Sequence, residues 1–159
     1  MISSNVIPAT TERVANNTCD HVNAQIREQT EANVARFAAA GSAAIEQRLE
    51  ELDQEWDIER CLETMAPSLT LFGLFMGAVS NKKWLLLPFA VQSFFLQHAL
   101  QGWCPPMPVL RRLGVRTSEE INEERMALKA LRGDFRGMAT IPEVENVAQV
   151  DEAMAAVRR

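Results

Sequence analysis

Leu69-Thr70-Leu71-Phe72-Gly73-Leu74-Phe75-Met76-Gly77-Ala78-Val79-Ser80-Asn81-Lys82-Lys83-Trp84-Leu85-Leu86-Leu87-Pro88-Phe89-Ala90 is the stretch whose reading decides the fold. It lies inside a longer window, Thr64 to Leu110, whose only charged side chains are Lys82 and Lys83 and which holds five of the seven phenylalanines. Hydrophobicity here comes in a block and follows no period. The mean hydropathy of the 159 residues, -0.11, therefore averages a greasy centre with two polar arms, and an evenly distributed globular core is excluded.

The window splits into two runs. Thr64 to Asn81 holds 18 uncharged residues, roughly 27 Å as a helix at 1.5 Å per residue. The second run is bracketed by Trp84 and Trp103, about 28 Å apart on a helix and placed as an aromatic belt would place them. Only Ser80-Asn81-Lys82-Lys83 can turn the chain between them. The expected fold class is therefore all-α: a two-helix transmembrane hairpin over 64–104, with helices 64–81 and 84–103. The alternative is a buried helical pair inside a soluble bundle, for which the polar Gln92, Ser93, Gln97, His98 and Gln101 give some support. The polar arms hold too little apolar material to wrap two such helices, so lipid is the preferred cover. Arg48, Arg60, Arg111, Arg112, Arg116, Arg125 and Lys129 flank the hairpin against the two loop lysines, which places both termini in the cytoplasm.

Gly73 and Gly77 form a GxxxG step that allows close helix approach, and Ala90, Ser93 and Gln97 make the stripe on the second helix expected to pack against it. Packing within the hairpin is the preferred use, with oligomerisation the alternative. Trp84, Trp103, Arg111 and Arg112 are expected at the membrane interface, the arginines at anionic headgroups.

Outward from the hairpin, residues 1–10 read as a disordered start and 11–63 as a polar, acidic helical arm, with five arginines against twelve carboxylates up to Glu63. The arm is one helix or two, bending at Ala38–Ala44 around Gly41. Ile45, Leu49, Leu52 and Trp56 fall on one stripe of under two heptads, the candidate self-association surface for a homo-oligomer or a helical protein partner. Residues 105–116 read as an interfacial proline-rich turn. Thr117-Ser118-Glu119-Glu120 is a capping box that opens the cytoplasmic helices of 117–159, with a linker at 133–142 and a last helix from Glu143 to about Val157.

Charge and chemistry narrow the function. No face-wide basic excess survives, so no nucleic-acid partner is expected; membrane lipids are. Cys19, Cys61 and Cys104 are an odd set without zinc-ligand spacing, so neither a disulfide framework nor a metal is expected, and no phosphate loop or other cofactor motif is present. Met1 is followed by neither a basic nor an apolar leader segment, so no export signal is expected. His98 is a polar group in an apolar helix, read either as functional or as satisfied by interfacial water. Cys104 is the one candidate thiol. Arg60, Arg111 and Arg112 are placed to favour a thiolate there or at Cys61, against the plainer reading of a small, inert residue ending a helix before two prolines.

The run Gly102-Trp103-Cys104-Pro105-Pro106-Met107, then Leu110 and Leu113-Gly114-Val115-Arg116-Thr117, resembles the YgaP-like transmembrane domain over roughly residues 58 to 118. That resemblance implies a two-helix hairpin in the bacterial inner membrane, found alone or fused to a rhodanese, a sulfur-transfer domain for which this chain has no strand pattern. Two functions follow as expectations. One is an anchor or scaffold without a catalytic site that self-associates or binds a partner through its cytoplasmic helical arms. The other is a thiol or persulfide carrier using Cys104.

Overall fold

The computed structural model describes residues 7–136 and 154–155, and the fold is all-α, with no strand among the described residues. The helices are α1 (Asp20–Ala40), α2 (Ser42–Gln54), α3 (Ile58–Val79), α4 (Leu86–Gln101), α5 (Met107–Arg112) and α6 (Ser118–Arg132). Single 3-10 turns occupy Ala15–Asn17 and Lys82–Leu85. Residues 1–6, most of the expected linker at 133–142 and most of the expected last helix lie outside the described residues. The chain forms two compact units: one of the residues through Gln29 with Glu55–Ile121, the other of Thr30–Gln54 with the residues from Asn122 onward.

In the first unit α3 and α4 lie against each other in opposite directions around the turn Ser80–Leu85. Asp57 starts α3 by accepting a hydrogen bond from the Arg60 amide at 2.8 Å, so the helix begins at Ile58 and not at the first uncharged residue, Thr64. Gly73 and Gly77 permit the close approach: a Cβ on Gly73 would stand 2.4 Å from Pro88 Cδ, and one on Gly77 2.6 Å from Leu85 Cδ2. The facing residues are thus Leu85, Leu87 and Pro88. The expected partner stripe is corrected, since Ala90 and Ser93 are exposed and Gln97 is only half-buried. The 3-10 turn at Lys82–Leu85 lets the chain close early and brings the start of α4 onto the glycines. Gln92 Nε2 donates to Thr70 Oγ1 across the pair at 2.8 Å.

The segment before α1 is a strap and not the start of a free arm. Val14 packs with Ile58, Leu62, Cys104 and Met107 in a small core. Arg111, expected at lipid headgroups, is 1% exposed and instead makes paired bonds to Glu120 at 2.7 Å each, with Thr18 Oγ1, Asn23 Oδ1 and the Val115 carbonyl also accepting from it. Burial of a guidinium demands such partners, because an unpaired buried charge is far costlier than an exposed one. Glu120 closes the expected capping box, accepting from the Thr117 amide at 2.8 Å while its own amide donates to Thr117 Oγ1 at 3.2 Å. Burial pushes the Glu120 carboxyl up, and the bonds from Arg111 and Thr117 outweigh this to hold it below its ordinary value. Arg116 forks onto Glu55 at 2.8 and 2.7 Å, and its carbonyl accepts from the Ile58 amide at 2.9 Å.

α1 runs from the first unit into the second, its residues from Thr30 onward lying there with α2, and the two are separate helices. Gly41, at φ +96°, makes the break at the bend read from sequence. The stripe Ile45, Leu49 and Leu52, expected to lie open for self-association, is 4, 8 and 1% exposed. The chain buries it already, so only Trp56, which belongs to the other unit, remains open, with the Arg60 guanidinium 4.5 Å over its ring. The fully buried Glu124 accepts from Arg48 at 2.8 and 3.3 Å and from Asn33 at 3.5 Å.

The glycines separate two kinds of strain. Gly41→Ala meets open space and should cost only the left-handed backbone penalty, about 1–2 kcal/mol. Gly102→Ala combines φ +79° with an approach of 2.2 Å to the Arg13 carbonyl oxygen and should lower the melting temperature distinctly further. Thermal denaturation of both variants in detergent checks this; equal losses would mean that the strap does not hold its place on α4.

Candidate functional site

The site grows from the carbonyl end of α4, whose last carbonyls need donors. Gly102 turns into the left-handed conformation, its amide donating to the His98 carbonyl at 2.8 Å. Two side chains of the strap complete the cap: Arg13 Nη1 donates to the Ala99 carbonyl at 3.0 Å, and Asn17 Nδ2 to the Gln101 carbonyl at 2.7 Å. Arg13 then reaches α3, with Nη2 donating to Glu59 Oε1 at 2.7 Å.

Glu59 links this cap to His98. Its second oxygen lies 3.1 Å from His98 Nε2, and because an ionised carboxylate only accepts, Nε2 is the donor. Glu59 sits a turn ahead of Thr64, where the apolar run begins. The bond from His98 holds its carboxyl below the ordinary value of 4.5, against the upward push of burial and with the help of Arg13. His98 is 1% exposed. Its other nitrogen, Nδ1, is buried without a well-formed hydrogen bond, and the Cys104 thiol lies beside the ring within its electrostatic and hydrogen-bonding range. The result is an ordered series, Arg13, Glu59, His98, Cys104, in which an imidazole stands between a carboxylate and a thiol.

Cys104 is 3% exposed and forms part of the wall of a cavity of about 310 Å³ otherwise lined by apolar side chains, among them Leu62, Leu69, Phe94 and Phe95. Cys61 stays outside this arrangement. Burial first, then Asp57, raises its thiol above the ordinary range, and Arg60 offsets this only in part, so the expected thiolate there is corrected. Among the expected interface residues, Arg112 is exposed, Trp84 is 39% exposed and stands edge-on to Phe72, and half-buried Trp103 stands edge-on to Phe94. Among the described residues no group of three His, Cys, Asp or Glu side chains is placed to hold a metal ion.

Among the described residues one helix is long and apolar enough to cross a membrane, and 17% of its apolar window is buried by the chain; the low charge such a window needs confines it to α3. Comparison with protein-family models, with curated proteins and with solved structures returns no match. Sequence reasoning singled out Cys104 and His98 separately and missed Glu59 and Arg13. For Glu59 a signal existed, because antiparallel helices bring the residues just before one run level with the last turns of the other. For Arg13 there was none.

Because the Glu59 carboxyl titrates lower in the folded chain than its ordinary 4.5, its contribution to stability is present above that value and is lost as pH falls through the folded value. Glu59→Gln should therefore be less stable than wild type at about pH 6, with the gap closing at about pH 3. Chemical denaturation at both values checks this; a gap that stays constant would deny the ion pair its role.

Proposed function

We propose that the chain is an integral membrane protein, with Thr64–Asn81 and Trp84–Trp103 as a two-helix transmembrane hairpin, that anchors its polar helical segments at the cytoplasmic face of a bacterial inner membrane for binding a protein partner. One observation carries this reading: the large apolar side chains of α3 and α4 that the chain leaves uncovered. Leu71, Phe75, Val79, Leu86, Phe89 and Leu96 are each between 61 and 74% exposed. Leaving each such side chain in water forfeits about 1.5–3 kcal/mol, and an uncovered surface of this extent belongs in lipid or against a partner. The GxxxG approach of α3 to α4 also suits a setting where packing replaces the hydrophobic drive. The seven flanking cations against Lys82 and Lys83 support cytoplasmic termini, as does the resemblance to the YgaP-like domain.

A second reading, that Cys104 is a reactive thiol and the protein a thiol carrier, is favoured by the series Arg13, Glu59, His98, Cys104. The two readings are compatible. An anchor needs no such array, and a polar network of this kind inside an otherwise greasy helix end is costly to maintain.

The membrane reading predicts that the protein stays in the pellet after alkaline carbonate extraction and floats with liposomes, and that reporters at both ends give cytoplasmic signals. Aspartate at both Phe75 and Phe89 should release it into the soluble or aggregated fraction. Release of the wild type by carbonate, or an external reporter signal at either end, would contradict it.

A further inference from the structure

Three features at the α4 end remain without a use in an anchor: an apolar cavity, a thiol in its wall, and a buried imidazole with one nitrogen that lacks a well-formed hydrogen bond. The cavity, about 310 Å³, falls in the size range of small-ligand pockets. Leu62, Met65, Ala66, Leu69, Phe94 and Phe95 line it, and among the described residues the one thiol on its wall is that of Cys104. Since Cys104 is 3% exposed, whatever reaches its sulfur enters through this cavity and shares its apolar character. His98 Nε2 is occupied by Glu59 at 3.1 Å, and Nδ1 has no well-formed hydrogen bond, with the Cys104 thiol as the group beside the ring. A buried nitrogen left idle is rare enough to call for a reason, and a proton acceptor for the neighbouring thiol supplies one.

We propose that Cys104 is an acyl-acceptor site: it takes a long-chain acyl group from an acyl thioester, with the chain lying in the apolar cavity, His98 as the base and Glu59 as a positioning residue. The step is a thioester exchange. His98 Nδ1 takes the thiol proton as Cys104 Sγ attacks the carbonyl carbon, forming the new S–C bond. The tetrahedral adduct collapses by breaking the S–C bond of the donor, and the departing thiolate takes the proton back from His98. Nothing is oxidised or reduced, and no further reactant is required. The apolar lining selects the chain because each methylene moved out of water favours binding.

The inference rests on the second reading, a reactive Cys104, and not on membrane insertion, so it is tested on the whole protein in detergent. The donors are hexadecanoyl-coenzyme A and, for comparison, acetyl-coenzyme A; N-ethylmaleimide serves as a small thiol probe, and peptide mass spectrometry reads each cysteine. Hexadecanoyl transfer to Cys104, released by hydroxylamine, is expected to outrun transfer to exposed Cys19 and to outrun acetyl transfer. His98→Gln should slow it about 100-fold. Glu59→Gln should slow it too, with Glu59→Asp recovering most of the rate. Ala90→Phe, which narrows the cavity from an exposed position and so spares the core, should depress hexadecanoyl transfer far more than labelling by the much smaller maleimide. Equal acylation of Cys19 and Cys104, or indifference to His98→Gln and Ala90→Phe, would overturn the proposal. Maleimide labelling of Cys104 without acylation would overturn it and leave the reactive thiol standing; no reaction of Cys104 with either reagent would overturn both.

Discussion

Two adjoining helices carry large apolar side chains on nearly every side, and the rest of the chain is too polar to cover them. Most of the architecture answers that constraint. The helices reduce their own exposed surface by closing on each other at Gly73 and Gly77, where Pro88 and Leu85 fill the space that side chains would occupy. Pro88 sits in the first turn of α4, where its missing amide hydrogen costs little. What this contact leaves open is the outward belt from Leu69 to Leu100, and in the proposed reading lipid covers it.

The polar ends of the same helices obey the opposite requirement. The buried cations of the first unit have carboxylates assigned to them, Arg111 with Glu120 and Arg116 with Glu55, and half-buried Arg13 shares Glu59 with His98. Pairs like these stabilise little beyond well-packed apolar residues of the same volume, yet removing one partner strands a buried charge. Their effect is therefore specificity. They fix the strap before α1, the start of α3 and the segment between α4 and α6 in one register, which is what brings Glu59, His98 and Cys104 into a line. Site and fold depend on the same ion pairs.

Local signals were the ones legible in the sequence. The Thr117 to Glu120 capping box, the break at Gly41 and the two apolar helices meeting through a short turn all arise from residues within a few positions of one another. Contacts between distant segments were not legible. Arg111 reads as a headgroup ligand until Asn23 and Thr18, far back in the chain, are seen to surround it. Ile45, Leu49 and Leu52 read as an open stripe because periodicity identifies an apolar face without saying what covers it. His98 and Cys104, six positions apart across a helix end, read as unrelated until the left-handed turn at Gly102 folds one back beside the other.

Depth-resolved quenching of a single tryptophan tests the central claim, lipid around α3 and α4, most directly. In a variant with Trp56, Trp84 and Trp103 replaced by phenylalanine and with tryptophan at Leu71, which is 66% exposed and near the middle of the apolar run, fluorescence is read in liposomes of lipids brominated at different positions along the acyl chain. Quenching that is strongest for bromines deep in the bilayer is expected. An absence of quenching, with emission at the wavelength of water-exposed indole, would contradict it.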